Sequence, residues 1–137
     1  MIVADTSGLL AFFNAREPAH ASVNRAIGEG TDALVVSPYV VAELDYLVAT
    51  RLGVDAELAV LGELAGGAYH HAALTDAELA DCAELIRRYS DQAIGVTDAS
   101  LVVLARRFGT RRILTLDRRH FSMLRPLDGG RFKLLPD

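Results

Sequence analysis

Three apolar residues, Ile2-Val3-Ala4, run straight into Asp5-Thr6-Ser7-Gly8. A run this short and apolar, closed by a carboxylate and two hydroxyls, reads as a strand buried on both faces of a parallel sheet. Asp5 then falls at the strand's carboxyl end, where open α/β sheets place their ligands. Thr6 or Ser7 is expected to cap a helix through Leu9, Leu10 and Phe13. An Asp in this position is, taken alone, an ordinary turn or cap residue. It gains meaning only if other acids arrive at the same place.

The same pattern recurs along the chain. Ala33-Leu34-Val35-Val36 is a second buried strand, and Ser37-Pro38 starts a helix with a hydroxyl cap and a proline at its first position. That helix carries Val40, Val41, Leu44, Leu47, Val48 and Leu52 on its apolar side and stops at Gly53. At 100° per residue Glu43 shares a face with Val40 and Leu47, whereas Asp45 points away and is expected in water. A carboxylate on an apolar stripe is costly unless it is paired or binds a metal, which singles out Glu43.

Other helices are expected over His20–Gly28, with Gly28 and Gly30 as its stop, and over Val54–Ala65. Thr75 and Glu78 form a capping box for a helix running to about Ser90. A further helix opens at Gly95-Val96-Thr97-Asp98, with Thr97 as its cap and Asp98 heading the apolar face of Leu101, Val102 and Ala105. Tyr69 to Leu74 reads as a strand, on which His70 and His71 point to opposite faces and cannot share an ion. Arg112 to Leu116 reads as another buried strand with Asp117 at its end, repeating the arrangement at Asp5. Phe132 to Leu135 adds an edge strand.

Alternating strands and helices of this length imply a three-layer α/β/α sandwich on a central, mostly parallel sheet, with right-handed crossovers. The 137 residues are expected to form one domain, 1–137, with apolar content of 51% enough for a full core. No apolar run approaches a membrane span, and no basic leader precedes an apolar segment, so a cytoplasmic protein is expected. The single cysteine, Cys82, excludes an internal disulfide and reads as a helix-packing residue. The net charge of −4 neither favours nor excludes nucleic acid. Of 14 cationic residues only Lys133 is a lysine, and the arginines fall largely in pairs. Arg118 and Arg119, directly after Asp117, are the best candidates for phosphate contacts, since arginine meets phosphate with a planar fork.

Four carboxylates thus stand out: Asp5 and Asp117 end strands, and Glu43 and Asp98 head the apolar faces of helices. Meeting in one crevice they would repel and raise one another's pKa values unless a cation were present. An all-oxygen donor set selects Mg²⁺ or Mn²⁺, and such a site suits phosphodiester hydrolysis. Thr6, Ser7, Thr97 and Thr115 are placed to orient the carboxylates.

At Asp5-Thr6-Ser7, Val41-Ala42-Glu43-Leu44, Thr97-Asp98-Ala99 and Leu114-Thr115-Leu116-Asp117-Arg118-Arg119-His120-Phe121, the chain resembles a PIN-domain ribonuclease. In motif order and length it resembles a VapC-type toxin of a toxin–antitoxin pair. The resemblance implies a metal-dependent endoribonuclease with Asp5, Glu43, Asp98 and Asp117 as metal-binding and catalytic acids. Thr6, Ser7 and Thr115 would support them. It also implies an RNA substrate, a homodimer and a small antitoxin that covers the groove. Three rival readings are weighed against this one. A phosphoacceptor receiver domain would need an acid pair after the first strand and a late sheet lysine, and neither is present. A non-catalytic PIN-like binding module would be expected to have lost acids, and all four are here. A PIN nuclease that processes RNA as housekeeping shares every feature above.

Overall fold

The computed structural model describes residues 1–28 and 32–137. Five strands form one all-parallel sheet: β1 (Ile2–Ala4), β2 (Leu34–Val36), β3 (Tyr69–His71), β4 (Arg112–Leu114) and β5 (Lys133–Leu135), in the order β3-β2-β1-β4-β5. Among the described residues seven α-helices connect them: α1 (Thr6–Phe13), α2 (His20–Gly28), α3 (Pro38–Leu52), α4 (Val54–Ala65), α5 (Asp76–Arg88), α6 (Val96–Arg107) and α7 (Arg118–Met123). The expected stop at Gly30 lies outside the described residues. The fold is the three-layer α/β/α sandwich expected from the alternation.

Strand order decides where a ligand can sit. From β1 the chain steps outward to β2 and β3; it then returns past β1 to β4 and steps outward the other way to β5. With right-handed crossovers, opposite steps put α1–α4 and α5–α6 on opposite faces of the sheet. The connections after β1 and β4 therefore diverge, and a crevice opens between the carboxyl ends of these neighbouring strands. Val3 pairs with both Val35 and Ile113, so β1 is the sheet's centre, and all three of its residues are buried.

The strands are shorter than the apolar runs that announce them. β4 stops at Leu114; Thr115, next in the chain, turns its hydroxyl to the crevice while its amide still donates to the Leu135 carbonyl at 2.9 Å. β3 stops at His71, whose side chain meets the Leu64 carbonyl at 2.7 Å; His70 packs edge-on against Phe108. Both histidines are structural. Cys82 is fully buried in α5, and burial pushes its thiol up to about 11. No helix among the described residues is long and apolar enough to cross a membrane.

Helix starts follow local chemistry, with two corrections. The Ser37 hydroxyl accepts from the Val40 amide at 3.2 Å behind Pro38, and the Thr75–Glu78 capping box is complete at 3.1 and 3.0 Å. Glu78 also takes the Arg107 guanidinium at 2.6 Å, which holds its carboxyl down to about 2. The cap of α1, however, is Asp5 itself and not Thr6 or Ser7: its Oδ1 accepts from the Thr6 amide at 2.8 Å. Thr97 does not cap α6. The helix starts one residue before it, from Gly95 with no side-chain cap, and the Thr97 carbonyl instead accepts from the Ser100 hydroxyl at 2.6 Å.

One close approach fixes α1 on the sheet. A Cβ on Gly8 would lie 2.6 Å from the Leu114 carbonyl oxygen and 2.7 Å from its side chain, so only glycine lets the helix rest directly on β4. Gly8→Ala is expected to destabilise the protein by about 2 kcal/mol, a fall in Tm of roughly 5–10 °C, measured by thermal unfolding. An unchanged Tm would mean that the helix shifts freely on the strand.

Candidate active site

The crevice at the switch between β1 and β4 is a cavity of about 360 Å³, and Asp5, Glu43, Asp98 and Asp117 all line it. Each acid arrives on a different element. Asp5 ends β1 and Asp117 follows β4; Glu43 projects from the second turn of α3 and Asp98 from the first turn of α6.

Asp5 is the most constrained of them. It is 5% exposed, and both of its oxygens are held. Oδ1 accepts from the Thr6 amide; Oδ2 accepts from the Thr115 hydroxyl at 2.7 Å and the Ser7 hydroxyl at 3.3 Å. Ser7 Oγ in turn accepts from the Leu116 amide and Thr115 Oγ1 from the Asp117 amide, both at 2.9 Å. Burial raises the Asp5 pKa from its usual value in spite of these donors, and Glu43 pushes the same way. Thr6 contributes its amide alone, since its buried hydroxyl has no partner. No carboxylate is oriented by Thr97 among the described residues, contrary to expectation.

Asp98 carries the cost of the assembly most visibly. Burial, then the charge of Asp5, push its carboxyl up to about 6, with Asp117 and Glu43 adding to the effect and His120 opposing it. His120 is part of the site although the sequence reading passed over it. Its Nδ1 lies 3.2 Å from Asp98 Oδ2 and 3.1 Å from Asp117 Oδ2. The imidazole is placed there by α7, whose cap is Asp117: Oδ1 accepts from the His120 amide at 3.2 Å. The spacing Asp117-x-x-His120 is a signal that could have found it, because residues three apart lie on one face of a helix.

Arg51 was missed as well. It lies two turns along α3 from Glu43 and lines the cavity, whereas Arg118 and Arg119 do not. Arg118 turns to the Pro136 carbonyl and lines a cavity on the other side of α7. Arg119 lines a third depression with Asp91 and Gln92. Following Asp117 in sequence did not put them beside it, because α7 begins at once and rotates each residue by 100°. Most of the paired arginines meet carboxylates elsewhere: Arg87 with Glu84, Arg106 with Asp81, Arg111 with Asp128 and Arg112 with Asp32.

The contrast between Glu43 and Asp45 is half correct. Glu43 lines the cavity at its rim, on an exposed residue and not a buried one. Asp45 is not solvated: it is half-buried, with one oxygen enclosed and unpartnered, and it pushes the Glu57 carboxyl above its usual range. Helix-face arithmetic assigned that side to water, but the chain reverses at Gly53 (φ +93°) and lays α4 across it.

The geometry has a counterpart in known proteins. Residues 2–125 match the family model of the PIN domain. The chain belongs to the PIN-domain family. It is 63% identical over 135 residues to ribonuclease VapC26 of Mycobacterium tuberculosis, an alignment covering 98% of this chain and all of that one. Within the family it is thus a VapC-type ribonuclease. The fold is also that of VapC20 from M. tuberculosis, a toxin described as cleaving the sarcin–ricin loop. There the TM-score is 0.80 at 21% identity, with 87% of this chain and 92% of that chain covered. VapBC2 of Rickettsia felis, solved with a DNA fragment of its promoter, gives 0.71 at 15% identity over 98% of both chains.

No three of the site's carboxylate and imidazole groups stand close enough, among the described residues, to form a ready-made metal cage. Their chemistry nevertheless fits a hard cation: four carboxylates line one cavity, one of them raised to about 6 by burial and by its neighbours. A raised carboxyl pKa means that the folded state holds this proton more tightly than the unfolded one. The penalty is therefore absent below about pH 4, grows as pH rises through 6, and is complete above it. Asp98→Asn removes it. In metal-free buffer at pH 7 the variant is expected to be more stable than the parent by about 1–2 kcal/mol, with the gap closing towards pH 4.5, as read by thermal unfolding. A gap independent of pH would show that Asp98 does not carry this charge.

Proposed function

We propose that this VapC-type ribonuclease is an endonuclease that hydrolyses RNA phosphodiester bonds with Mg²⁺ or Mn²⁺ at the four-acid cavity. The observation that carries the reading is the convergence of Asp5, Glu43, Asp98 and Asp117 from four separate elements on one crevice at the sheet's switch point. Asp5, Glu43, Asp98 and Asp117 would hold the cation. When bound, the cation supplies a Lewis acid and an activated water. The chain does the rest. Thr115, Ser7 and the Thr6 amide hold the Asp5 carboxylate in one orientation, so that it need not reorganise on binding. His120 Nδ1 sits between Asp98 and Asp117, where it can hold a proton between two carboxylates. Arg51, on the wall beside Glu43, offers a fork to the scissile phosphate.

The reading extends over residues 1–137 as one domain, because β5 lies beyond the matched 2–125 and continues the same sheet. In this reading the enzyme works in the cytoplasm as the toxin of a pair and is held in check by a small antitoxin. Similarity to the toxin–antitoxin complexes of R. felis and Klebsiella pneumoniae supports such a partner. Tyr46, Leu52, Val54 and Leu58, exposed apolar side chains on the α3–α4 hairpin, give a protein partner or a second copy of the chain a place to bind.

Purified protein is expected to cut total cellular RNA into discrete fragments with Mg²⁺ or Mn²⁺ and not with EDTA. Asp98→Asn should lose at least about 100-fold of the rate, while Asp45→Asn retains it. Folded wild-type protein that cuts nothing with either metal would overturn the nuclease reading; equal loss in both variants would mean the wrong acids were chosen.

A further inference from the structure

We infer that the cavity between α7 and β5, on the far side of α7 from the acids, seats backbone phosphates of the same RNA. This rests on the nuclease reading and names where the rest of the substrate lies. The cavity is about 280 Å³, and Arg118, Arg125, Arg131 and Lys133 line it against a single carboxylate, Asp137. The protein as a whole is acidic, at −4, yet residues 118–137 hold five cations (Arg118, Arg119, Arg125, Arg131, Lys133) against Asp128 and Asp137.

The pairing of the cations sharpens this asymmetry. Arg87, Arg106, Arg107, Arg111 and Arg112 all meet carboxylates. Around the cavity, Arg118 and Arg125 donate to backbone carbonyls, of Pro136 and Ser122, which orients their guanidinium groups without neutralising them. Arg131 and Lys133, both exposed, form no ion pair among the described residues. Four cations gathered round one small cavity repel one another, and a polyanion relieves this.

Two observations favour RNA over other anions. The cavity is continuous in sequence with the acid site: Asp117 and His120 line one side of α7, and Arg118 and Phe121 the other. A strand leaving the acids across this short helix therefore meets the cations next. Phe132, half-buried and edge-on to Phe121 at 6.4 Å, lines the same cavity, and an aromatic face among cations is what an unstacked base requires.

The test measures binding in the Asp98→Asn background, which prevents cleavage, with a labelled mixed-sequence single-stranded RNA oligonucleotide. Arg131→Ala/Lys133→Ala is expected to weaken binding roughly tenfold. It should also reduce the slope of log K against log salt by about 1.4, at ~0.7 per phosphate contact. With Asp98 restored, the double variant should raise KM and leave kcat unchanged. Arg131→Gln alone, expected to show about half the change in slope, serves if the double variant fails to fold. Unchanged affinity and slope would overturn the inference. So would displacement of the RNA by polyglutamate as readily as by polyphosphate, which would mark an acidic protein as the occupant. If wild-type protein cuts no RNA, the nuclease reading fails, while the binding arm still reports on the cavity by itself.

Discussion

The Asp5 carboxylate is the joint on which the site depends. One of its oxygens starts α1 through the Thr6 amide; the other draws in the hydroxyls of Ser7 and Thr115. Thr115 follows β4, so this single side chain ties the ends of the sheet's two central strands. The tie also extends outward, because the same two hydroxyls accept the amides of Leu116 and Asp117. Asp117 then caps α7 and brings His120 back against Asp98. The path from Asp5 thus runs through hydrogen bonds as far as the His120 amide, and the His120 ring then stands 3.2 Å from Asp98. An Asn at position 5 would turn one acceptor into a donor facing hydroxyls already committed elsewhere. Position 98 has no such web, which makes it the cleaner place to separate charge from scaffold.

The same joint explains why the site is costly. Gly8 lets α1 lie against Leu114, and Asp5, where β1 passes into α1, is only 5% exposed. Burial raises its pKa, and the charge it retains adds to the elevation of Asp98 to about 6. Holding these acids near one another therefore costs stability, which a cation bound among them would offset. His120 offsets part of the repulsion in the protein alone, standing within 3.2 Å of two of the acids.

How much of this was legible in the sequence follows from the range of the interaction concerned. Strands and helices came through because burial on both sheet faces leaves short continuous apolar runs, while one-sided burial of helices leaves a period of 3.6 residues. The ends of β1 and β4 were readable as acids after apolar runs, and their meeting follows from topology. Features set by contacts between distant elements were not readable. Asp45 looked solvated because its own helix gives it no neighbour; α4, folding back after Gly53, supplies one. Arg51 enters the cavity by the path of α3 across the sheet, and no local pattern marks it. Thr6 and Thr97 were assigned capping or orienting work by residue type, but the carboxylate of Asp5 had prior claim on the first cap, and α6 began before Thr97. His120 is the intermediate case, since its spacing from Asp117 was visible and its proximity to Asp98 was not.

Net charge is a poor guide to partners in a protein built this way. A nuclease that gathers its own carboxylates must be acidic where it cuts, and phosphates approach such a surface only where something else attracts them. Here Arg87 of α5, Arg106 and Arg107 of α6 and Arg112 of β4 are each paired with a carboxylate outside the site. The cations beyond Asp117 are left without that neutralisation, on the opposite side of a helix only six residues long. Acid site and basic cavity are thus separated by one short element, close enough for a single strand to span both. The overall value of −4 averages two surfaces that act in opposite senses on the same polymer.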